Sequence, residues 1–268
     1  MPEFTPTSKA RVIAIANQKG GVGKTTTTIN LGTALTMRGK TVLIIDLDPQ
    51  GNASTGLGMA PETRSLTTYD LLVENAAIAD VSRETSVENL FLAPATTDLS
   101  SADIELMSNS RRVFRLRAAL TQLNALPKRV DYVLVDCPPS LNLLTVNAMV
   151  AADSVLVPLQ SEFFALEGLS QLLLSVREVR ETANPKLRIE GIVLTMYDRR
   201  NNLSRQVEED ARANLGELVF KTIIPRNVRV SEAPSFAMPV LRYDPSSQGS
   251  QAYLGLADEI LERHELVA

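Results

Sequence analysis

The sequence predicts an α/β fold: a single domain on a mostly parallel, twisted sheet of about seven or eight strands, with helices on both faces. Three observations carry that prediction. Short apolar runs rich in β-branched residues alternate with longer segments of helical period. Runs such as Thr41-Val42-Leu43-Ile44-Ile45 are apolar without alternation, as burial on both faces requires. The first run leads directly into a glycine-rich turn and then a helix.

Met1 to Lys9, with two prolines and no apolar run, reads as a disordered tail and not as a signal peptide. The domain is expected over residues 10–268. Predicted strands are Val12–Ala16, Thr41–Leu47, Leu90–Ala93, Tyr132–Val135, Ser154–Pro158, Ile189–Leu194 and Val219–Ile224. Predicted helices are Thr25–Met37, Arg111–Leu126, Leu143–Ala151, Glu167–Glu181, Ser204–Leu215 and Gln248–Arg263. Residues 60–97 are the least patterned and are expected to lie irregularly over the sheet edge. No repeat and no Gly/Ser-rich linker divides the chain, so one domain is expected.

The 268 residues suffice for a large buried core. Aromatics make up 4% with no Trp, which argues against an extended base-stacking platform. A formal charge of −4 means that any contact with DNA must come from a local basic patch. Cys137 is the lone cysteine, so an internal disulfide and a four-thiolate metal site are both excluded, which fits a reducing cytoplasm. No segment approaches the roughly 20 apolar residues that span a bilayer.

The chemistry concentrates in Lys19-Gly20-Gly21-Val22-Gly23-Lys24-Thr25-Thr26. Glycines let a backbone fold round an anion with its N–H groups inward, and the following helix N-terminus adds a favourable dipole. Lys24 is expected on the β/γ-phosphates of a nucleotide and Thr25 on Mg²⁺ through its hydroxyl. The general phosphate-loop pattern would need glycine where this chain has Gln18, and it has no counterpart to Lys19. The second strand ends in Asp46-Leu47-Asp48-Pro49-Gln50-Gly51-Asn52; alternation puts Asp46 and Asp48 on one side, at the edge where such sheets bind ligands. Asp136, before Cys137-Pro138-Pro139, alone reads equally as turn chemistry; beside a phosphate loop it reads as a holder of the Mg²⁺ shell. The Asn/Thr-Lys-x-Asp guanine signature is absent, so ATP is favoured.

Lys-Gly-Gly-Val-Gly-Lys-Thr-Thr resembles the deviant Walker A motif of the ParA/MinD group of P-loop ATPases. The resemblance runs from Arg11 to about Leu261. It includes Asp46–Asn52, Asp136–Ser140, Ala165–Leu169, Ile224–Arg229, Ser231–Ser235 and Tyr243–Pro245. It implies that Lys19 reaches across a dimer interface to the partner's nucleotide. It implies too that Asp48 lies beside the γ-phosphate and the attacking water, close to the metal. Pro225 and Asn227 are implied near the adenine, and Arg200 and Arg229 on DNA, with Arg199, Arg205, Lys221 and Arg226 as nearby candidates. Asp46 is expected to be structural, and Cys137 and His264 to be a packed and a surface residue.

Within that group, iron proteins need two cysteines and iron–sulfur scaffolds a Cys-x-x-Cys pair, both absent here. The terminal helix carries four acids against one arginine from Leu256 onward, which disfavours membrane docking of the MinD kind. What remains resembles the chromosome-type ParA, or Soj, family. That implies an ATP-dependent partitioning switch. An ATP-bound homodimer coats double-stranded DNA without reading its sequence, and a ParB-type protein stimulates slow hydrolysis. The expected location is the cytoplasm, on the nucleoid. Alternatives are a membrane-associated positioning ATPase and a small-molecule ligase of the dethiobiotin synthetase type.

Overall fold

The computed structural model describes residues 10–162 and 165–266; the predicted tail, 1–9, lies outside the described residues. Its strands are β1 (Arg11–Ile15), β2 (Val42–Asp46), β3 (Arg83–Glu84), β4 (Leu90–Ala93), β5 (Tyr132–Asp136), β6 (Ser154–Gln160) and β7 (Arg188–Thr195). The first helices are α1 (Lys24–Met37), α2 (Asn52–Gly56), α3 (Ile78–Val81), α4 (Ala102–Glu105), α5 (Arg115–Leu120) and α6 (Leu143–Ala151). They are followed by α7 (Ala165–Thr182), α8 (Asn202–Leu215), α9 (Val228–Glu232), α10 (Val240–Tyr243) and α11 (Gln248–Glu265).

The seven strands form one sheet in the order β3-β4-β2-β5-β1-β6-β7, parallel except for the short edge strand β3. Alternation within each strand divides the core between the two faces. Val12, Ala14, Leu43, Ile45, Val133 and Val135 pack with residues of α5, α6, α7 and α8. Ile13, Ile15, Val42, Ile44, Tyr132 and Leu134 pack with α1 and α11. Burial on both faces explains why these strands read as continuous apolar runs. Helix α1 is buried nearly all round, wedged between the sheet and α11.

Three expectations are corrected. Val219–Ile224 is not a strand: only isolated bridges, Ile192 to Val219 and Tyr197 to Pro225, extend the sheet there. The Lys221 and Thr222 N–H groups donate instead to the Glu259 carboxylate at 2.9 and 3.0 Å. Arg111–Leu126 is not one helix, because the Asn147 side chain replaces a bond of its ladder. Its Oδ1 accepts from Leu116 N and its Nδ2 donates to Arg112 O, at 3.2 and 2.9 Å.

The third is His264, which is buried and not on the surface. Its ring stacks on Tyr132 with centroids 5.7 Å apart. One ring nitrogen lies 2.9 Å from the Tyr132 hydroxyl and the other 2.8 Å from Glu190 Oε1.

Candidate functional site at the C-terminal edge of the sheet

β1, β2, β5, β6 and β7 all end on one edge, and the loop after β1 opens there between its neighbours β5 and β6. The loop starts from Asn17, whose amide donates to Pro158 O at 2.8 Å and whose Oδ1 accepts from Lys19 N at 3.0 Å. Gly23 ends the loop at φ 86°, a left-handed conformation that glycine adopts without strain, and caps α1. Thr195, the last residue of β7, donates its hydroxyl to Val22 O at 2.8 Å and ties the loop to the far strand.

Lys24 is buried, with its ammonium donating back to Lys19 O at 3.1 Å. Burial lowers its pKa, opposed by the charges of Asp136 and Asp48. Asp136 is the last residue of β5 and fully buried; Thr28 donates to its Oδ1 at 3.1 Å. Its Oδ2 is buried with no hydrogen-bond partner among the described residues. Burial raises the Asp136 pKa, the charge of Asp46 adds to that, and hydrogen bonds from Thr25 and Thr28 work against it. An orphaned carboxylate oxygen beside the Thr25 hydroxyl fits a hydrated divalent cation that completes its shell with phosphate oxygens. No cluster of three or more His, Cys, Asp or Glu side chains able to hold a metal occurs among the described residues. A magnesium that takes most of its ligands from nucleotide and water does not require one.

Asp48 is also buried, its Oδ1 accepting from Gln50 N at 3.0 Å. The turn that follows requires glycine at Gly51. Its φ is 61°, and a Cβ there would meet Arg64 Nη1 at 2.3 Å and Ala95 O at 2.9 Å. Arg64 spans the turn, donating to Ala95 O at 2.8 Å and Thr55 Oγ1 at 2.8 Å. Cys137 is fully buried, and burial pushes its thiol far up, so it packs and does not react.

Beside Gly23 and Thr26 opens a cavity of about 390 Å³. Met196, Pro225, Arg226, Asn227 and Tyr253 line it, with Gln160 and Glu162 at its rim. Its lining mixes the apolar surfaces of Met196, Pro225 and Tyr253 with the polar groups of Gln160, Glu162, Arg226 and Asn227, a mixture that suits a nucleoside. Asn227 also caps α9, its Oδ1 accepting from Val230 N at 3.3 Å.

Lys19 stands at the loop's outer side, its ammonium 2.5 Å from Glu162 Oε2. Arg199, Arg200 and Arg226 share a cleft of about 860 Å³ on the surface next to the nucleoside cavity. Arg200 is 90% exposed and pairs with Asp198 at 3.0 Å, which holds that carboxyl down to about 2. Arg229, on α9, pairs with Glu232 at 2.9 Å and Asp244 at 3.4 Å. The structure therefore gathers Lys24, Thr25, Asp48 and Asp136 at one end of α1, with Pro225 and Asn227 beside them. It places Lys19 and the arginines on the surrounding surface.

Sequence reasoning missed Asn17, Thr28, Arg64, Glu162 and Thr195. Thr28 was discoverable, since it lies one helical turn beyond Lys24 on the same face. The others depend on contacts between distant segments and leave no local signal.

Comparisons with known proteins agree with this geometry. The family model for an AAA domain matches residues 10–189. The chromosome partitioning protein ParA of Caulobacter vibrioides is 59% identical over 253 residues, 94% of this chain and 94% of that protein. The sporulation initiation inhibitor protein Soj of Bacillus subtilis is 52% identical over 250 residues, 93% of this chain and 98% of that protein. Among solved structures, a Mycobacterium smegmatis chain described as cobyrinic acid a,c-diamide synthase, with bound ADP and magnesium, superposes with a TM-score of 0.82. It is 37% identical, with 96% of each chain covered.

Proposed function

This chain belongs to the ParA/Soj family of chromosome-partitioning ATPases, and from that premise we propose that it works as an ATP-dependent switch for DNA partitioning. It is an ATPase with ATP and Mg²⁺ as its cofactors. The observation that carries the reading is the convergence of Lys24, Thr25, Asp48 and Asp136 on one end of α1, beside a nucleoside-sized cavity.

ATP enters with its base between Pro225 and Asn227 and its phosphates inside the loop. Lys24 exchanges its bond to Lys19 O for β/γ-phosphate oxygens, so a buried cation already partly desolvated meets its anion. Thr25 and Asp136 would hold Mg²⁺, which would supply positive charge against the phosphates. Asp48 orients the attacking water. Lys19 serves the partner protomer's nucleotide in trans, as an arginine finger does, and so makes dimerisation depend on the γ-phosphate. The dimer then brings Arg200 and Arg229 of both protomers onto one surface, where they bind DNA phosphates without reading bases. A ParB-type protein on DNA stimulates hydrolysis and the dimer separates. Among the described residues no helix is long and apolar enough to cross a membrane, and the acidic terminal helix disfavours docking on an anionic lipid surface.

The test is binding to random-sequence duplex DNA at fixed salt with no nucleotide, ADP, ATP or a non-hydrolysable ATP analogue. Binding restricted to ATP and the analogue is expected. Equal binding in every state removes the switch. The likeness to a chain described as a diamide synthase supports a second reading, ATP-driven activation of a small carboxylate. Turnover that depends on such a metabolite and ignores DNA would select it.

A further inference from the structure

The proposed cycle does not use the ion pair between Lys19 and Glu162. Lys19 belongs to the phosphate loop, and its main chain is fixed from both sides: its N–H donates to Asn17 Oδ1 at 3.0 Å and its carbonyl accepts from Lys24 Nζ at 3.1 Å. Only the side chain is left to move. Glu162 holds that side chain at 2.5 Å, with each partner still partly open to solvent, 36% and 47% exposed. The carboxylate is itself held in place. Its other oxygen, Oε1, accepts from the Gln160 amide, and Glu162 N donates to Gln160 O at 2.8 Å. Gln160 is the last residue of β6, so the acceptor for Lys19 is mounted on the central sheet and not on a free loop. Both Gln160 and Glu162 rim the nucleoside cavity.

We propose that Glu162 is the positioning residue for Lys19: it holds the lysine within its own protomer until a partner's γ-phosphate displaces it. This rests on the reading of Lys19 as a group that acts in trans. The competition is between one carboxylate and one phosphoryl group for a single ammonium. A triphosphate with its metal offers the lysine several charged oxygens in a water-poor interface, whereas a diphosphate ends one phosphoryl short of the interface. Glu162 thereby sets a threshold that ATP passes and ADP does not. The pair is exposed enough to break readily, since solvent-exposed ion pairs hold by at most about a fivefold bias. Two protomers must each release a lysine to close a symmetric dimer, so the bias enters twice, up to about 25-fold in the dimer dissociation constant.

The experiment measures dimer formation by sedimentation velocity across protein concentration, with ADP or with a non-hydrolysable ATP analogue, for the full chain and its Glu162→Gln and Glu162→Ala variants. Monomer affinity for ADP is measured in parallel. Release of the lysine is expected to lower the dimer dissociation constant with the analogue by about 2- to 25-fold, to raise the small dimer fraction seen with ADP, and to leave ADP affinity within about twofold. The alanine variant guards against a glutamine that still hydrogen-bonds the lysine. An unchanged or weaker dimer in both variants overturns the proposal, as does a loss of ADP affinity alone, which would make Glu162 a nucleoside contact. If the wild-type chain itself forms no dimer with the analogue, the trans role of Lys19 fails and the proposal falls with it.

Discussion

Asp46 and Asp136 are direct partners at the last position of the β2–β5 register, and both are wholly buried. Burial raises the pKa of each; the charge of Asp46 adds to the rise at Asp136, and the charge of Asp48 adds to the rise at Asp46. Their surroundings separate them. Asp46 accepts from Ser54 N at 2.9 Å, Ser54 Oγ at 2.7 Å and Asp48 N at 3.1 Å, so it is fully used by the fold. Asp136 keeps an oxygen with no partner among the described residues. Two adjacent carboxylates thus differ in use, one bracing the Asp48 turn and one keeping an oxygen that the fold does not engage.

Substitution should separate those roles. Asp46→Ala strands the Ser54 and Asp48 N–H groups and should cost about 1–3 kcal/mol of stability. Asp136→Ala removes an unpartnered buried oxygen along with the bond from Thr28, so it should cost less stability than Asp46→Ala while Mg²⁺-dependent hydrolysis is lost. Thermal melts and phosphate release check the pair. Equal destabilisation by both would contradict the division.

Lys24→Ala should abolish binding of a fluorescent ADP analogue, because the loop loses the full charge that faces the phosphates. Asp48→Ala should still bind ATP yet hydrolyse it about 100-fold more slowly, and so persist as a DNA-bound dimer. Normal turnover in that variant would remove Asp48 from the mechanism.

Arg200→Glu should eliminate DNA binding and leave dimerisation intact. Arg200→Ala should weaken binding to all sequences alike and reduce the salt slope by about one. Gel shifts at several salt concentrations give both readings. Retained affinity in Arg200→Glu would exclude this arginine from the DNA surface.

The His264–Glu190 contact predicts how the fold responds to acid. Burial alone would raise the Glu190 pKa, but hydrogen bonds from His264 and Ser154 and the His264 charge outweigh it, so the net shift is downward. A depressed folded pKa stabilises above the unfolded value of 4.5, and the contribution fades as pH falls through the folded value. Without His264 the carboxyl protonates at higher pH, so His264→Ala should move the acid-unfolding midpoint upward. It should also cost about 2 kcal/mol at neutral pH by leaving Glu190 under-satisfied. Circular dichroism across pH checks both effects.

Much of the architecture was legible because unalternating apolar runs and one glycine-rich turn are local signals. Their order along the chain, β1 then loop then α1, was enough to place the glycine-rich loop at the edge where the parallel strands end. The misreadings arose where a distant side chain replaced a backbone partner. Asn147 divides the segment from Arg111 to Leu126, and Glu259 captures the N–H groups of Lys221 and Thr222. Neither contact has a local sequence signature. His264 did have one. Tyr253, Leu256, Ala257, Ile260 and His264 follow the helical period along a single buried stripe of α11, so the histidine continues an apolar face.

Asn227 belongs to two structures at once: it lines the nucleoside cavity, and its oxygen caps the helix that carries Arg229. Any preference of that cap for one nucleotide state is therefore also a preference in how Arg229 is presented. Thermodynamic reciprocity then requires the traffic to run both ways. Under the proposed switch, whatever factor ATP contributes to DNA affinity, DNA must return to ATP affinity, so DNA that held this protein would also be a local store of its nucleotide.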